Sequence, residues 1–335
     1  MATGPIAALV MHPVVQQELF RSDHMQRLDG CCRLVSETPF RHFDDMQDFL
    51  SRVQILITSW GCPRVDRSTL SAMPQLRLVA HLAGSVKGFI TEEVWRRGVK
   101  VTNAVAANAV PVAEFTLAAI LFANKRVFQL HDFYLEHKEN RSPWTREAPD
   151  VGNYAKRVGI IGASQVGRKL IQLLQPFDYE ILVYDPYLTP LKCRELQARK
   201  VGLSELMSQS DVVSIHAPLL AETRHLIGAR ELALMQDHAT LINTARGDLV
   251  DQTALIEALS NRRLFAILDT TAPEVLPPDS PLFELPNVYL TPHIAGSLGS
   301  ETQRLTDYIV DELERFTQNR SLKYGVKLED LARLA

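Results

Sequence analysis

Short apolar runs alternate with segments of helical apolar spacing along the first hundred residues. The runs end at glycine, proline or polar residues, which is typical of buried strands, and the segments between them place apolar side chains three and four residues apart. The predicted strands are residues 6–10, 32–35, 53–58, 76–81 and 99–101, and the predicted helices are 14–28, 43–50 and 91–97. This alternation predicts a small open α/β domain whose ligands bind at the carboxyl ends of the strands.

The same alternation returns after residue 157. The predicted strands there are residues 158–161, 181–184, 212–216, 240–243, 265–268 and 288–290, with helical segments between them. Parallel strands need such crossovers, so the pattern predicts a doubly wound parallel sheet. The fold class is therefore α/β, with two Rossmann-like or flavodoxin-like domains.

A long apolar helix and a final amphipathic helix connect the two predicted domains. Asn108 is a good N-cap and Pro111 suits a first turn, so a helix is predicted from Asn108 towards Tyr134, followed by a polar surface connection over 136–150. The helix predicted over 301–319 is expected to return to the first domain. The predicted division is a first domain of residues 1–107 and 298–335 and a second domain of residues 108–297.

The clearest motif is the turn between the strand at 158–161 and a helix predicted over 165–174. It carries Gly162, Ser164 and Gly167 in the spacing of the fingerprint G-x-G-x-x-G, with serine in place of the middle glycine. Glycines let the backbone approach a pyrophosphate, which the free N–H groups at a helix N-terminus bind. The serine could crowd the phosphate or donate a hydrogen bond to it, and the sequence leaves both open.

An acidic residue closes this βαβ unit. Asp185 lies eighteen residues after Gly167, where a dinucleotide fold places a carboxylate for the adenosine ribose hydroxyls. A carboxylate repels a 2′-phosphate, and Pro186 and Tyr187 supply no arginine to accept one. The sequence therefore favours NAD over NADP as the cofactor.

The composition is that of an ordinary soluble globular protein. Of its 335 residues, 46% are hydrophobic and 22% charged, and the net charge of −3 gives no electrostatic footprint for nucleic acid or an anionic membrane. Gly4-Pro5 and His12-Pro13 break the N-terminal apolar run, so neither a signal peptide nor a transmembrane helix is expected there, which favours the cytoplasm. The four cysteines lack C-x-x-C spacing, so reduced thiols and no metal site are expected.

Three chemically distinctive residues follow predicted strands of the second domain. They are Arg246 in NTARGD, Glu274 in DTTAPE and His293 in TPHIAG. Reduction of a 2-oxo acid builds negative charge on the ketone oxygen, so it needs a proton donor, and His293 can be that acid. Glu274 could fix the tautomer and favour the imidazolium, while Arg246 could hold the substrate carboxylate with its paired donors.

The motifs from Asn103 to Gly296 resemble those of the D-isomer-specific 2-hydroxyacid dehydrogenase family, whose members include glyoxylate/hydroxypyruvate reductases and D-3-phosphoglycerate dehydrogenases. The matching stretches are NAVAANAVPVAEFTLA, VGIIGASQVGRKL, YDPY, DVVSIHAPLLAETRHLIG, LINTARGDLVD, LDTTAPE and TPHIAG. The resemblance implies an NAD-dependent enzyme acting on a small 2-oxo or D-2-hydroxy acid. It also implies that residues 1–107 and 298–335 form the substrate or catalytic domain, that residues 108–297 form the NAD-binding Rossmann domain, and that a homodimer is built around the nucleotide domain.

The resemblance assigns functions to particular positions. The family's catalytic arginine, glutamate and histidine fall on Arg246, Glu274 and His293. Cofactor contacts, including the glycine-loop positions, fall on Ser85, Gly162, Ser164, Gln165, Val166, Gly167, Asp185, Ala217, Pro218, Thr244, Ala245, Asp269, Ala295 and Gly296. Substrate contacts fall on Gly84, Ser85, Arg246 and His293.

The sequence departs from the family in the loop at residues 83–90, which reads AGSVKGFI and lacks two aspartates that the family usually carries there. Lys87 in this loop could attract a second acidic group of a substrate or be solvated. An NAD-responsive corepressor-like binding protein of the same fold is the alternative function. Formate oxidation is disfavoured, since that branch has glutamine at the position of Glu274.

Overall fold

The computed structural model describes residues 4–138 and 150–331, which form two compact units. The first unit comprises Met1–Asn108 and Ser297–Ala335, and the second comprises Ala109–Gly296. The sequence-based boundaries lie within one residue of these. The functional roles predicted for the two domains remain predictions.

Parallel strands and helices alternate through both units. The strands are β1 Ile6–Val10, β2 Arg33–Leu34, β3 Ile55–Thr58, β4 Leu78–His81, β5 Lys100–Asn103, β6 Lys156–Ile161, β7 Tyr179–Tyr184, β8 Arg199–Lys200, β9 Val212–Ile215, β10 Thr240–Asn243, β11 Phe265–Leu268 and β12 Val288–Leu290. The helices are α1 Pro13–Leu19, α2 Ser22–Cys31, α3 Gln47–Leu50, α4 Arg67–Ala72, α5 Glu92–Arg96, α6 Val105–Asn124, α7 Val127–Glu136, α8 Gln165–Leu174, α9 Pro190–Glu195, α10 Leu203–Gln209, α11 Ala229–Leu234, α12 Gln252–Ser260, α13 Thr302–Thr317 and α14 Leu328–Leu331. The 3₁₀ turns are Phe43–Met46, Gly247–Leu249, Pro281–Phe283 and Gly299–Glu301. The predicted α/β class is confirmed.

The first unit is built on a five-stranded parallel sheet in the order β2-β1-β3-β4-β5. Ala7 and Leu9 are buried in one hydrophobic cluster, whereas Ala8 and Val10 are buried in a second one. Because helices cover both faces of a parallel sheet, its strands appear in the sequence as continuous apolar runs. The order is that of the flavodoxin-like doubly wound fold.

The return helix α13 packs in the first unit. Leu305, Ile309 and Leu313 are fully buried in the same cluster as Leu9. Apolar residues at this spacing form one stripe of a helix, which explains why α13 covers one face of the sheet. The first unit is therefore assembled from two separate parts of the chain.

Two predicted helices are interrupted. The helix predicted over 14–28 is divided into α1 and α2 by extended backbone at Phe20 and Arg21. The long helix towards Tyr134 is divided into α6 and α7 at Arg126, whose φ of 48° is left-handed. In both cases apolar spacing continues across the break, so the pattern alone did not reveal it.

The start of the long helix was also predicted wrongly. Helix α6 begins at Val105, so Asn108 is not an N-cap and Pro111 lies inside the helix. The side-chain oxygen of Asn108 instead accepts the backbone N–H of Ser297 at 2.9 Å. This contact joins the two chain segments of the first unit. The predicted connection over 136–150 lies mostly outside the described residues.

Helix α6 is long and apolar enough to cross a membrane by length and composition alone. Ala113 and Ile120 of this helix are buried in one of the two hydrophobic clusters of the second unit. An apolar helix that packs in a protein core meets the same criteria as a membrane span.

The second unit is built on a seven-stranded parallel sheet in the order β12-β11-β10-β9-β6-β7-β8. The first six strands in chain order have the arrangement of the classic dinucleotide-binding sheet, and β12 extends it at one edge. From β6 the chain builds the sheet outwards in one direction through β7 and β8, and from β9 it builds outwards in the other direction, so the strand order reverses between β6 and β9. The predicted doubly wound sheet is confirmed, and β8, a two-residue edge strand, was not predicted.

Candidate active site

The predicted site residues of the second unit follow the carboxyl ends of its strands. Because all strands in the sheet are parallel, these ends lie along one edge. In an open α/β sheet, ligands bind outside this edge, at the point where the strand order reverses. The loops after β6 and β9 flank this point.

Two glycines in the loop after β6 are required by close packing. Gly162 has a left-handed φ of 93°, and a Cβ atom there would lie 2.6 Å from the backbone nitrogen of Ala217 after β9. A Cβ atom on Gly167 would lie 2.1 Å from the carbonyl oxygen of Gly162. Any side chain would therefore push the loop, the helix and the neighbouring strand apart, and the backbone N–H groups at the start of α8 would lose their arrangement.

Ser164 is the N-cap residue of helix α8. Its backbone is extended, with φ −67° and ψ −174°, and its Oγ accepts the N–H of Gly167 at 3.4 Å. A serine adopts this conformation without strain, so the backbone does not require glycine here. The long contact is a weak cap, and it leaves the hydroxyl able to turn towards a ligand.

Asp185 is held at the end of β7 by three backbone N–H groups. Its carboxylate accepts the N–H of Ala163 at 2.8 Å, of Tyr187 at 2.8 Å and of Leu188 at 3.0 Å. A carboxylate has about four acceptor positions, so capacity remains for a ribose hydroxyl. The residues around the glycine loop therefore fit a dinucleotide: a glycine turn, a helix N-terminus and a fixed carboxylate.

A neutral histidine lies beneath this loop. His216 follows β9 and is buried, with its Nε2 2.8 Å from the hydroxyl of Ser214, and burial lowers the pKa of the imidazole to about 3. It is therefore uncharged at neutral pH. The next residue, Ala217, packs against Gly162 of the glycine loop.

Arg246 follows β10 and is positioned by a buried asparagine. The side chain of Asn243 accepts the N–H of Ala245 at 3.0 Å and donates to the carbonyl oxygen of Arg246 at 2.9 Å. Thr244 is fixed from the other side, since its hydroxyl lies 3.1 Å from that of Thr116 on α6. These contacts shape a tight turn that carries the guanidinium at the sheet edge.

The Arg246 turn packs directly against the loop that carries Glu274. A Cβ atom on Gly247 would lie 2.0 Å from the carbonyl carbon of Thr271, so only glycine permits this approach. The side chain of Gln252 binds the same loop by accepting the N–H of Ala272 at 3.1 Å. The loops after β10 and β11 therefore form one packed structure.

His293 and Glu274 form a hydrogen-bonded pair. The Nδ1 atom of His293 contacts Oε1 of Glu274, and both side chains are about half exposed, at 47% and 53%. Occupation of Nδ1 by a carboxylate leaves Nε2 as the nitrogen available to a substrate. The pair therefore has the geometry of an imidazole acid oriented by a carboxylate.

The His293 turn is anchored by Asp269, which is buried at the end of β11. One carboxylate oxygen accepts the Thr291 hydroxyl at 2.6 Å and the Ile294 N–H at 2.8 Å, and the other accepts the Ala295 N–H at 2.9 Å. The residues that form these hydrogen bonds flank His293 in the sequence, and His293 itself has a left-handed φ of 55°. Such a conformation is held by its surroundings rather than by local preference.

We expect Asp269→Asn to loosen this turn. An amide offers one acceptor oxygen, so whichever way it is turned its NH₂ group faces a hydrogen-bond donor of the turn. We expect a loss of about 1–3 kcal/mol in the free energy of unfolding, and kcat should fall more than the affinity for NADH. Thr270→Val is the matched control, because it removes a neighbouring buried hydroxyl that has no hydrogen-bond partner among the described residues. Wild-type stability and kcat in Asp269→Asn would contradict the anchoring role.

The second unit thus brings most of the predicted site residues to one sheet edge. Arg246, Glu274 and His293 lie on contiguous loops, and the glycine loop and Asp185 lie at the strands beyond β9. Gly84 and Ser85 follow β4 of the first unit, and their predicted contacts remain predictions. Sequence reasoning missed Asn243 as a positioning residue. The position of Asn243 between a strand and a turn could have indicated this role, because an asparagine side chain often forms a hydrogen bond with the backbone two residues later in the chain.

Comparisons with known proteins identify a family and relatives to which this chain is similar. Residues 117–295 match the family model described as D-isomer specific 2-hydroxyacid dehydrogenase, NAD binding domain. A glyoxylate reductase of Korarchaeum cryptofilum is 34% identical over 255 residues, which cover 75% of this chain and 76% of the relative. A D-3-phosphoglycerate dehydrogenase of Methanocaldococcus jannaschii is 29% identical over 271 residues, which cover 80% of this chain and 50% of the relative.

The fold has close solved counterparts. A phosphoglycerate oxidoreductase from Rhizobium etli superposes with a TM-score of 0.84 at 22% identity, over 97% of this chain and 99% of that one. At this identity the similarity concerns the fold.

The fold and the glycine loop define an NAD-binding α/β protein. The match over the second unit and the relative at 34% identity go further: the chain belongs to the D-isomer specific 2-hydroxyacid dehydrogenase family. It is an NAD-dependent oxidoreductase of that family, as predicted, and the relatives do not favour the corepressor alternative.

Proposed function

We propose that the protein reduces a small 2-oxo acid to the D-2-hydroxy acid with NADH, with His293 as the general acid. The observation that carries this proposal is the Glu274–His293 pair, whose Glu274 lies on a loop packed against the Arg246 turn at the edge of the NAD-binding sheet. A proton donor and a carboxylate-binding cation are the two groups that this chemistry needs from the protein.

His293 supplies the proton. NADH, when bound, supplies the hydride that reaches the C2 atom of the substrate. As negative charge develops on the C2 oxygen, Nε2–H of the imidazolium donates its proton there, and Glu274 stabilises the cation through Nδ1. In the oxidation direction the neutral imidazole takes the hydroxyl proton back. Glu274 acts through His293 throughout and does not itself exchange a proton with the substrate.

Arg246 holds the substrate. Its guanidinium presents planar paired donors that match a carboxylate, so it would fix the acid group and polarise the ketone next to it. In the described structure Nη1 donates to the carbonyl oxygen of Ala245 at 2.6 Å, which leaves further donors for a substrate. Gly84 and Ser85 are proposed to bind the substrate carboxylate with backbone N–H groups.

The remaining predicted cofactor contacts belong to the same proposal. Asp185 would bind the adenosine ribose and favour NAD over NADP, because its charge repels a 2′-phosphate. The proposed contacts with the pyrophosphate and the nicotinamide are made by Gly162, Ser164, Gln165, Val166, Gly167, Ala217, Pro218, Thr244, Ala245, Asp269, Ala295, Gly296 and Ser85.

The experiment that tests the proposal is a spectrophotometric screen of NADH consumption. Glyoxylate is tested first, because the Korarchaeum relative is named a glyoxylate reductase, and hydroxypyruvate, pyruvate and phenylpyruvate follow. We expect turnover with at least one of these acids, with NADH preferred over NADPH. NADH binding without turnover of any 2-oxo acid would contradict the proposed function.

A homodimer is proposed from the surface of helix α7. Helix α7 exposes two large hydrophobic side chains, Tyr134 and Leu135, which are 51% and 53% exposed, whereas its Phe128 packs against a hydrophobic cluster of the second unit. Large hydrophobic side chains exposed on a helix are typical of a subunit interface. We expect sedimentation at twice the monomer mass, and a shift towards monomer in the double variant Tyr134→Asp, Leu135→Asp. A wild-type monomer at micromolar concentration would contradict this.

A cytoplasmic location also remains a proposal. Its support is that all four cysteines are free, which is typical of a reducing compartment.

A further inference from the structure

A cavity lies at the amino end of strand β11 in the second unit. Its volume is about 360 Å³, at the lower end of the range of small-molecule sites. Four side chains form its apolar wall: Leu130, Phe133, Phe265 and Pro286. Phe265 is the first residue of β11, whereas Asp269, which anchors the His293 turn, follows its last residue. The cavity and the candidate active site therefore lie at opposite edges of the sheet.

The guanidinium of Arg126 is the charged group in the interior of this cavity. Arg126 lies between helices α6 and α7, and its guanidinium is placed over the ring of Phe265, 5.7 Å from the ring centre. Burial lowers the pKa of this guanidinium, and the charge of Asp150 opposes the shift. Removing a charge from water costs free energy unless polar groups compensate it, and a cation over an aromatic ring recovers only part of that cost.

The lack of a polar partner distinguishes Arg126 from most partly buried arginines of the chain. Within residues 4–138 and 150–331, its guanidinium has neither a hydrogen bond nor an ion pair. Four other partly buried arginines donate from the guanidinium to protein oxygens: Arg27, Arg246, Arg263 and Arg315. Arg304 also has a terminal nitrogen without a partner among the described residues, but it does not line this cavity. The donors of Arg126 are therefore available to a ligand in the cavity.

Three residues that line the cavity have a left-handed backbone. The φ angle is 48° at Arg126, 67° at His238 and 58° at Arg262. Such angles are uncommon for residues other than glycine and asparagine, and they often occur at ligand-binding sites, where the surrounding structure maintains them. Three side chains that can donate hydrogen bonds are thus brought to one cavity.

The charges around the cavity favour a ligand with a single negative charge. Arg126 and Arg262 are matched in number by Asp132 and Glu136, which are exposed on helix α7. These two carboxylates would repel a polyanion such as a nucleotide, whereas a monoanion needs only the partly buried cation. The apolar wall matches an apolar body, so a carboxylate joined to such a body suits both parts of the cavity.

The proposed subunit contact leaves this cavity accessible. Gln129, Phe133 and Glu136 line the cavity and recur three and four residues apart, so they lie on one face of helix α7. Tyr134 and Leu135 follow Phe133 at about 100° and 200° around the helix axis, on other faces. A dimer formed through these two side chains therefore does not need to cover the cavity.

We propose that this cavity binds a monocarboxylic acid with an apolar body, whose carboxylate pairs with Arg126. The apolar body packs against Leu130, Phe133 and Phe265. The inference rests on the cavity and its charges, and it does not depend on the proposed function.

Binding of 3-phenylpropionate to the full-length protein, measured by ligand-observed NMR titration, tests the proposal. We expect a Kd of about 0.1–1 mM, and binding of the neutral 3-phenylpropanamide that is at least about tenfold weaker. The same acid could also occupy the substrate site, where Arg246 is proposed to bind a carboxylate. The titration is therefore repeated with Arg246→Ala, in which we expect an unchanged Kd.

Three variants make the test specific. Arg126→Gln should raise the Kd for 3-phenylpropionate at least about tenfold, while a Kd for NADH within about twofold of wild type shows that the second unit is intact. Lys125→Gln is the matched control, because it removes the same charge from the preceding, exposed residue, and its Kd should not change. Leu130→Ala should raise the Kd by about fivefold, because it shortens the apolar wall without touching the cation.

Three results would overturn the proposal: no saturable binding of 3-phenylpropionate below about 10 mM, equal affinity for the amide, or an unchanged Kd in Arg126→Gln. Binding that is lost in Arg246→Ala and retained in Arg126→Gln would place the acid at the substrate site, so this inference would fail while the proposed function stands. Binding that depends on Arg126 in a protein that reduces no 2-oxo acid would support this inference while the proposed function fails.

Discussion

Replacing Arg246 by alanine is expected to lower kcat/KM for a 2-oxo acid by about 10³-fold, a loss typical of removing a charge-stabilising group from an active site. The Kd for NADH should change less than twofold, because the guanidinium is proposed to bind the substrate and not the cofactor. Steady-state kinetics with the best substrate and fluorescence titration with NADH measure the two quantities separately.

Two further variants make the Arg246 test specific. Arg246→Lys keeps the charge but loses the planar paired donors, so it should recover only a small part of the activity. Arg230→Ala removes an exposed arginine of helix α11 and should leave kcat/KM unchanged. Undiminished activity in Arg246→Ala would refute its assignment as the substrate carboxylate ligand.

Replacing His293 by asparagine is expected to lower kcat for reduction by about 10²–10⁴-fold, the usual contribution of a general acid. Asparagine suits the test because His293 has a left-handed φ of 55°, a conformation that asparagine adopts more readily than most residues. The turn should therefore keep its shape while the proton donor is lost. NADH affinity close to wild type together with the loss of kcat is the expected result.

The same role gives Glu274 a testable part. Glu274→Gln removes the carboxylate that contacts Nδ1 of His293, and we expect kcat for reduction to fall while the Kd for NADH stays close to wild type. Wild-type kcat in Glu274→Gln, with chemistry rate-limiting, would contradict the orienting role of this carboxylate.

The strands were easier to predict than the helix boundaries. The strands β10, β11 and β12 have the predicted bounds, because each is a short apolar run with a clear end. The breaks between α1 and α2 and between α6 and α7 were missed, since the apolar spacing persists across them. The two breaks arise from backbone conformations that are extended at Phe20 and left-handed at Arg126. The residue types at these positions do not predict such conformations.

In the site too, features encoded by a short stretch of sequence were predicted, whereas most contacts between distant segments were not. Arg246, Glu274 and His293 were located from the sequence because each follows a strand end, and parallel strands bring such ends together. The contact between Glu274 and His293 was also predicted, whereas the contacts that hold their loops were not predictable. The carboxylate of Asp269 accepts a hydrogen bond from the turn after β12, and Gly247 packs against the loop after β11. Each contact joins two segments that are distant in sequence.

The most direct test of the proposed chemistry is the fate of an isotopic label on the nicotinamide. NADH carrying deuterium at C4 in the transferred position is incubated with the protein and the best 2-oxo acid of the screen that has three or more carbons, because the glycolate formed from glyoxylate has no D and L forms. The product is analysed by chiral chromatography and mass spectrometry. We predict a D-2-hydroxy acid with one deuterium at C2, and no such product from Arg246→Ala or His293→Asn in the same time. An unlabelled hydroxy acid, or the L enantiomer, would contradict the proposed transfer.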